Sequence, residues 1–370
     1  MLENNPQYLI KREANIFRAL LTKTFSPIWL RTFHPSALCF TADTKKNQLR
    51  CVHEPIASTL GESFSTSMGE GDQKDGGEVV IMRSGAGHSL CYLKMDGVLY
   101  PPMPGYSSHL KRVQDFPCRK DDVWIFGYPK SGNHWLWEMV NMVLKNKPEF
   151  EKDIMERFLV DFEDLQSPDL TRDSQRVLVS HLPLQHAPRG VFQKEGVKVI
   201  YVLRNPKDAV VSAYNHLASV TDDFRRLSFS DFLGLFMDGN VYYGDWYEHV
   251  TSWYLRSQGN RNILIVKYED MKRDLLKEVT RVAAFFKKPL DLDTAESIAH
   301  ACTFTRMKSC KRECNEKWRE DGLIHSVYRK GQVGDWRNWF SPEEDEEFNR
   351  RHKERMACCA DLTIDFVLNE

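Results

Sequence analysis

A chain of 370 residues, 42% hydrophobic and 12% aromatic, can bury one large core, and a disordered end followed by one domain fits the length equally well. Its 51 basic and 52 acidic residues nearly cancel, which gives no support for nucleic acid or an anionic membrane as a partner and makes any basic site local. Nine cysteines without regular spacing read as reduced thiols, and no run approaches the roughly eighteen apolar residues that span a bilayer, so a soluble, cytoplasmic protein is expected.

Taken in chain order, residues 10–33 are basic and weakly amphipathic, which allows a mitochondrial-type presequence or a surface helix, although Glu13 and Pro27 argue against both. Residues 57–78 are rich in Gly, Ser and acids with almost nothing to bury, the composition of a flexible linker, and put a boundary near residue 85. The expected division is an N-terminal extension over 1–88, largely disordered or of unassigned fold, and one domain over 89–370. From there the pattern becomes regular. "DDVWIFGYP" (Asp121–Pro129) is a short apolar strand entering a turn, and "SGNHWLWEMVNMVLK" follows with Trp135, Met139, Met142 and Val143 at helical spacing.

"RVLVSHLP", "VKVIYVLRNP" and "NILIVKYEDM" are further apolar, β-branched runs that end in polar residues, with helical stretches at about 206–219, 244–258, 271–287 and 342–358. Strands buried on both faces and alternating with helices imply a three-layer α/β/α domain with a central parallel sheet. In such a sheet ligands bind beyond the carboxyl ends of the strands, at a topological switch point. Lys130, Ser180 with His181, Arg204 and Tyr268 end these strands and become the candidate site residues. Cys310 and Cys314 would share a helix face, but no other ligand-like pair accompanies them and no metal is expected.

The turn "IFGYPKSGNHW" is like a phosphate-binding loop with its lysine displaced. Gly127 and Gly132 keep the spacing of the nucleotide-hydrolase signature, but Asn133 and His134 stand where that signature has Lys and a magnesium-binding hydroxyl. A Gly-containing turn that opens a helix still aims free N–H groups and the positive end of the helix dipole at an anion. The P-loop-like turn therefore suits a phosphate-like group, with the Lys130 ammonium approaching from another side.

Three ordered stretches, "YPKSGNHW" (Tyr128–Trp135), "VLRNPKDAVVSAYNH" (Val202–His216) and "RKGQVGDWRNWFSPEE" (Arg329–Glu344), together resemble the cytosolic sulfotransferases, which transfer a sulfonyl group from 3'-phosphoadenosine 5'-phosphosulfate (PAPS). The likeness spans roughly residues 89–370. It implies that backbone amides from Ser131, Gly132, Asn133, His134 and Trp135 cradle the 5'-phosphosulfate. Lys130 would sit at the bridging oxygen, where charge grows as the S–O bond breaks. Arg204, Ser212, Arg329, Lys330 and Gly331 would hold the donor's 3'-phosphate, and Trp135, Tyr268 and Phe304 would pack on adenine. Cys302 stands where the family usually has Thr, so a hydrogen bond to the base is expected to weaken. His181, in "SHLP", matches the general base, and with Lys130 and Ser212 makes up the expected catalytic set.

One departure concerns charge. Many relatives carry Lys two residues before the base, where this chain has Val179; His134 is a candidate substitute, and Val179→Lys is expected to raise turnover. "RNWFSPEEDE" partly matches a dimer motif at Arg337, Ser341 and Glu346, with Pro342 in place of Val, and reads equally as a helix start, so a homodimer is one possibility. The segments 89–118, 145–173 and 219–245 are expected to form the acceptor pocket, their Phe, Tyr and Leu favouring a small apolar alcohol or phenol over a sugar. A P-loop kinase or hydrolase fails on the absent Lys-Ser/Thr pair. The alternative from another class is a catalytically weak nucleotide-binding or interaction protein on the same fold.

Overall fold

The computed structural model describes residues 76–314 and 327–368, the side chains of 311–314 excepted. The expectations for residues 10–33 and for most of the Gly/Ser-rich segment therefore lie outside the described residues. Four strands form a parallel sheet: β4 (Val123–Phe126), β5 (Val177–Ser180), β6 (Lys198–Leu203) and β7 (Ile263–Lys267), in the order β5-β4-β6-β7. Phe126 lies opposite Ser180 on one side and Tyr201 on the other, and Leu203 lies opposite Lys267. The residues that follow each strand therefore emerge at one edge, with the switch point after β4. Alternation along β4 divides the interior in two. Val123 and Ile125 belong to one hydrophobic cluster, Trp124 and Phe126 to another, so both faces are covered as a buried parallel sheet requires.

Beneath the first face pack α2 (Asn133–Lys145), α7 (Leu275–Phe285) and α8 (Leu292–Ala301). The second face carries α3 (Pro206–Val220), α5 (Trp246–Ser257), α1 (Tyr106–Gln114) and α4 (Phe229–Met237), with Trp253 stacked near Phe126 and Tyr201. The helix expected over 271–287 is two. Asp274 accepts from Lys277 N and caps α7, which separates it from α6 (Tyr268–Arg273). At the opposite end of the sheet Arg176 makes a two-pronged pair with Asp122 (2.8 and 2.6 Å), both buried.

The expected boundary at residue 88 is corrected by a second sheet. β1 (Glu78–Arg83) pairs antiparallel with β2 (Ser89–Met95), which pairs with β3 (Val98–Tyr100), so residue 88 falls inside a hairpin and the folded unit starts by Glu78. The turn Ser84–His88 carries Gly85 and Gly87 and lies just beyond the Gly-rich stretch 57–78, so composition there gives no signal of strand pairing.

Ser341 starts α9 (Pro342–Arg355) with a capping box, its hydroxyl accepting from Glu344 N while the Glu344 carboxylate accepts from Ser341 N. The ammonium of Lys207, on α3, pairs with Asp345 and donates to Asn349 Oδ1 (2.7 Å) beneath the ring of Trp336 (4.1 Å). This fastens α9 to the helix that follows β6. No helix among the described residues is long and apolar enough to cross a membrane.

Candidate active site

The loop after β4 is shaped by its glycines. A Cβ on Gly127 would lie 2.5 Å from Val202 Cγ1 and 2.8 Å from the Val202 carbonyl, and Gly132 has φ +105 with Tyr268 Cδ2 2.8 Å from where its Cβ would be. Both positions exclude a side chain, which explains the spacing seen in sequence. Lys130 itself takes a left-handed φ of 69, a strained choice for a residue with a Cβ, and the Arg204 guanidinium donates to its carbonyl (3.0 Å). Gly132 caps α2 without a side-chain hydrogen bond, so the helix opens on backbone N–H groups and the positive end of its dipole. The buried Ser131 hydroxyl has no hydrogen-bond partner among the described residues. These features suit an anion lying across Ser131 to Trp135.

Lys130 is half-buried, and its ammonium is pushed down to about 7, first by burial and then by Arg204 and Arg329, against the pull of Glu156. His134, on the first turn of α2, places Nε2 3.4 Å from Glu156 Oε1. Glu156 comes from the 3-10 turn Met155–Phe158 and was not singled out by any sequence pattern. Val179 is fully buried in the cluster with Val123 and Met139. A lysine there would have to force its ammonium through that packing, so the expectation that Val179→Lys raises turnover gives way to an expected loss of stability.

His181 is held from several sides. Its N–H donates to Asp161 Oδ2 (2.8 Å), its carbonyl accepts from His249 Nε2 (3.0 Å), and Tyr201 Oη contacts His249 Nδ1 (2.8 Å). The ring nitrogen Nδ1 lies 2.9 Å from the Gly127 carbonyl. A carbonyl can only accept, so Nδ1 carries the proton and Nε2 keeps the lone pair. Burial lowers the His181 pKa, with Lys130 acting in the same direction and Asp161 opposing, so the ring is neutral near pH 7. Asp161, whose own carboxyl burial pushes up, also accepts from Ser180 Oγ (2.6 Å). A neutral imidazole with a fixed tautomer and a free Nε2 can take a proton.

Residues from the three expected pocket segments meet at this histidine. Tyr106 stacks on Phe162 (5.5 Å between centroids) and Tyr243 meets the His181 ring edge-to-face at 5.5 Å. Tyr243 is left-handed (φ 70), locked by its N–H donating to Leu99 O at 2.7 Å. His216, one turn beyond Ser212 on α3, has a buried Nδ1 with no partner among the described residues and lies within the fields of Lys130, His134 and His181. Nothing local marked Asp161, Tyr243 or His216, except that His216 closes the second motif.

Arg204 reaches two loops, donating to Lys130 O and to Gln332 O (3.3 Å), and lies over the Tyr268 ring at 4.3 Å, with a buried Nε that has no partner among the described residues. Ser212 is half-buried two turns into α3. Arg329 Nη2 and Lys330 Nζ both donate to Asp335, at 2.6 Å each. Gly331 (φ 65) leaves no room for a Cβ, which would lie 2.2 Å from Phe304. Trp135 and Tyr268 meet edge-to-face at 5.3 Å and 75°, so this pair offers a face and an edge rather than a parallel slot. Trp135 Nε1 donates to Cys302 O (2.7 Å), while the Cys302 thiol is buried against Met142 Sδ (3.6 Å). In this structure Cys302 contributes its carbonyl to the setting of Trp135, and its side chain belongs to the core.

The family described as "Sulfotransferase domain" matches residues 120–360. The chain is 32% identical to rat (Rattus norvegicus) sulfotransferase 1E1 over 269 residues, 69% of this chain and 90% of that protein. It is 32% identical to a rabbit (Oryctolagus cuniculus) amine sulfotransferase over 268 residues, 70% of this chain and 87% of that one. Among solved structures, mouse sulfotransferase SULT7A1 complexed with PAP is similar at 30% identity and a TM-score of 0.59, covering 72% of this chain and 95% of that chain.

Proposed function

The chain belongs to the sulfotransferase family, and on that premise we propose that it is a PAPS-dependent enzyme moving a sulfonyl group to a hydroxyl or amine of a small acceptor. The observation that carries this reading is the convergence of the Lys130 loop, the His181 imidazole and the Arg204 guanidinium at one edge of the sheet.

PAPS, when bound, supplies an electrophilic sulfur and a phosphate leaving group. The uncapped start of α2, the unpartnered Ser131 hydroxyl and the side-chain-free Gly127 and Gly132 fit its 5' end. Arg204, Ser212, Arg329, Lys330 and Gly331 are assigned to its 3'-phosphate, and Trp135, Tyr268 and Phe304 to adenine. His181 Nε2 takes the acceptor's proton as the new bond to sulfur forms. Lys130 meets the charge that develops on the departing oxygen, an interaction stronger in the transition state than before it. Tyr243 meets the His181 ring on the acceptor side, and half-buried Phe162 is backed by the fully buried ring of Tyr106, which favours a flat, largely apolar alcohol, phenol or amine. A cytoplasmic location and a homodimer through the Arg337–Glu346 region belong to the same reading. In the monomer Ser341 is already engaged as a helix cap.

The test is calorimetric titration with PAP and with ATP, alongside Arg204→Ala and Lys130→Ala, followed by turnover with a panel of phenols, alcohols and amines. PAP binding in preference to ATP, weakened by Arg204→Ala, is the expected result. No PAP binding would refute the donor assignment, and binding without turnover on any acceptor would favour a nucleotide-binding role on the same fold.

A further inference from the structure

We propose that Asp335 is the positioning residue of the donor's 3'-phosphate site, an anion set behind Arg329 and Lys330 that holds both cations in place before the nucleotide arrives. The inference rests on the assignment of those two residues to the 3'-phosphate. Its own support is geometric. Asp335 Oδ2 accepts from Arg329 Nη2 (2.6 Å), and Oδ1 accepts from Lys330 Nζ (2.6 Å) and Asn338 Nδ2 (3.0 Å).

The exposures are graded: the Asp335 side chain is 1% accessible, that of Arg329 22% and that of Lys330 45%. The carboxylate is thus innermost, and an approaching phosphate meets the cations first. Burial alone would raise the Asp335 carboxyl, but the hydrogen bonds from Lys330, Arg329 and Asn338 overcome it and hold it down to about 2, so the anion persists at every working pH.

The backbone around Asp335 is fastened as well. Asp208, in the first turn of α3, accepts from Gly334 N (2.7 Å) and Trp336 N (3.0 Å), the two neighbours of Asp335. Asp208 lies four residues beyond Arg204, whose guanidinium donates to Gln332 O in the same loop. The three cations assigned to one phosphate, Arg204 from the end of β6 and Arg329 and Lys330 from the distant loop, are therefore kept in register by two carboxylates that no phosphate would touch. Arg and Lys side chains otherwise lose much rotamer freedom when they bind, and here part of that loss is already met in the donor-free protein. Removal of the anion also leaves the positive charge of the two side chains uncompensated, which would favour a phosphate; loss of placement is expected to outweigh this because two long side chains depend on one carboxylate.

The test compares two probes that differ only at the 3' position, PAP and adenosine 5'-monophosphate, titrated into the full chain and into Asp335→Asn and Asn338→Ala. The expected result is a fall in PAP affinity of about tenfold or more for Asp335→Asn, with the monophosphate changed by less than about threefold and so reporting an intact fold. Asn338→Ala should shift PAP alone, in the same direction and by less. Equal losses for both nucleotides would make the role merely structural and overturn the proposal, as would unchanged or tighter PAP binding. If Asp335→Asn binds neither probe, Asn338→Ala decides by the same criterion. A wild-type protein that does not distinguish the two nucleotides would remove the 3'-phosphate assignment itself, and the proposal with it.

Discussion

Raising the pH should release the donor nucleotide, because the Lys130 ammonium sits near 7 rather than at its ordinary 10.5. Burial is the largest cause, and Arg204 and Arg329 add to it. If only the protonated lysine holds the phosphate, the competent fraction falls from about 0.9 at pH 6 to about 0.01 at pH 9. PAP affinity should then drop by at most about 90-fold, or roughly 2.7 kcal/mol, less if the bound state can also lose the proton. Calorimetry of the wild type and of Lys130→Met across this range separates the lysine from the nucleotide, since the phosphates titrate identically in both. The variant should bind more weakly at pH 6 and show a flatter profile above pH 7. Parallel profiles would refute the assignment of Lys130 to the anion. The same shift acts on the PAP-free fold. Between about pH 7 and 10.5 the unfolded chain binds more protons at this lysine, so its contribution makes the folded protein more stable as pH rises through that window.

His181→Ala should lower turnover by about 10²–10⁴-fold while PAP affinity stays within a few-fold, checked by activity and calorimetry on one preparation. Since burial holds the His181 pKa below 6.5, the acid limb of kcat/KM should lie below that pH, and a limb above pH 7 would contradict the role of this imidazole as base. Asp122→Ala leaves the Arg176 guanidinium buried without its carboxylate and should cost about 3–5 kcal/mol in urea unfolding; a loss under about 1 kcal/mol would show the pair to be dispensable. Val179→Lys should lower stability in the same assay without raising turnover at saturating donor, and a faster enzyme would show that the cluster around Val179 opens to admit the cation.

Much of the architecture was written in local pattern. The apolar runs around Val123, Val177, Val199 and Ile263 became the four parallel strands, and their polar ends carry the candidates Lys130, His181, Arg204 and Tyr268. A strand buried on both faces must be continuously apolar, and the backbone rule that places ligands beyond its carboxyl end needs no knowledge of the contacts. The hairpin of β1 and β2 was not legible, because strand pairing is a non-local event and the Gly-rich turn between them has the composition of a linker.

What folding alone decided was the company each site residue keeps. Asp161 is twenty residues from His181 and fixes its backbone. Gly127 is fifty-four away and fixes its tautomer through one carbonyl. Glu156 reached His134 through a 3-10 turn, Cys302 turned its thiol into the core, and Asp335 closed on Arg329 and Lys330 across a glycine turn. Side-chain type limits which polar partners are possible, but sheet register and loop path select among them. The sequence by itself determined a parallel α/β sheet with a glycine-shaped loop and a histidine at its edge; the charge state of Lys130, the tautomer of His181 and the carboxylate behind the basic pair exist only once distant segments are packed together, because each depends on burial and on partners that local sequence does not contain.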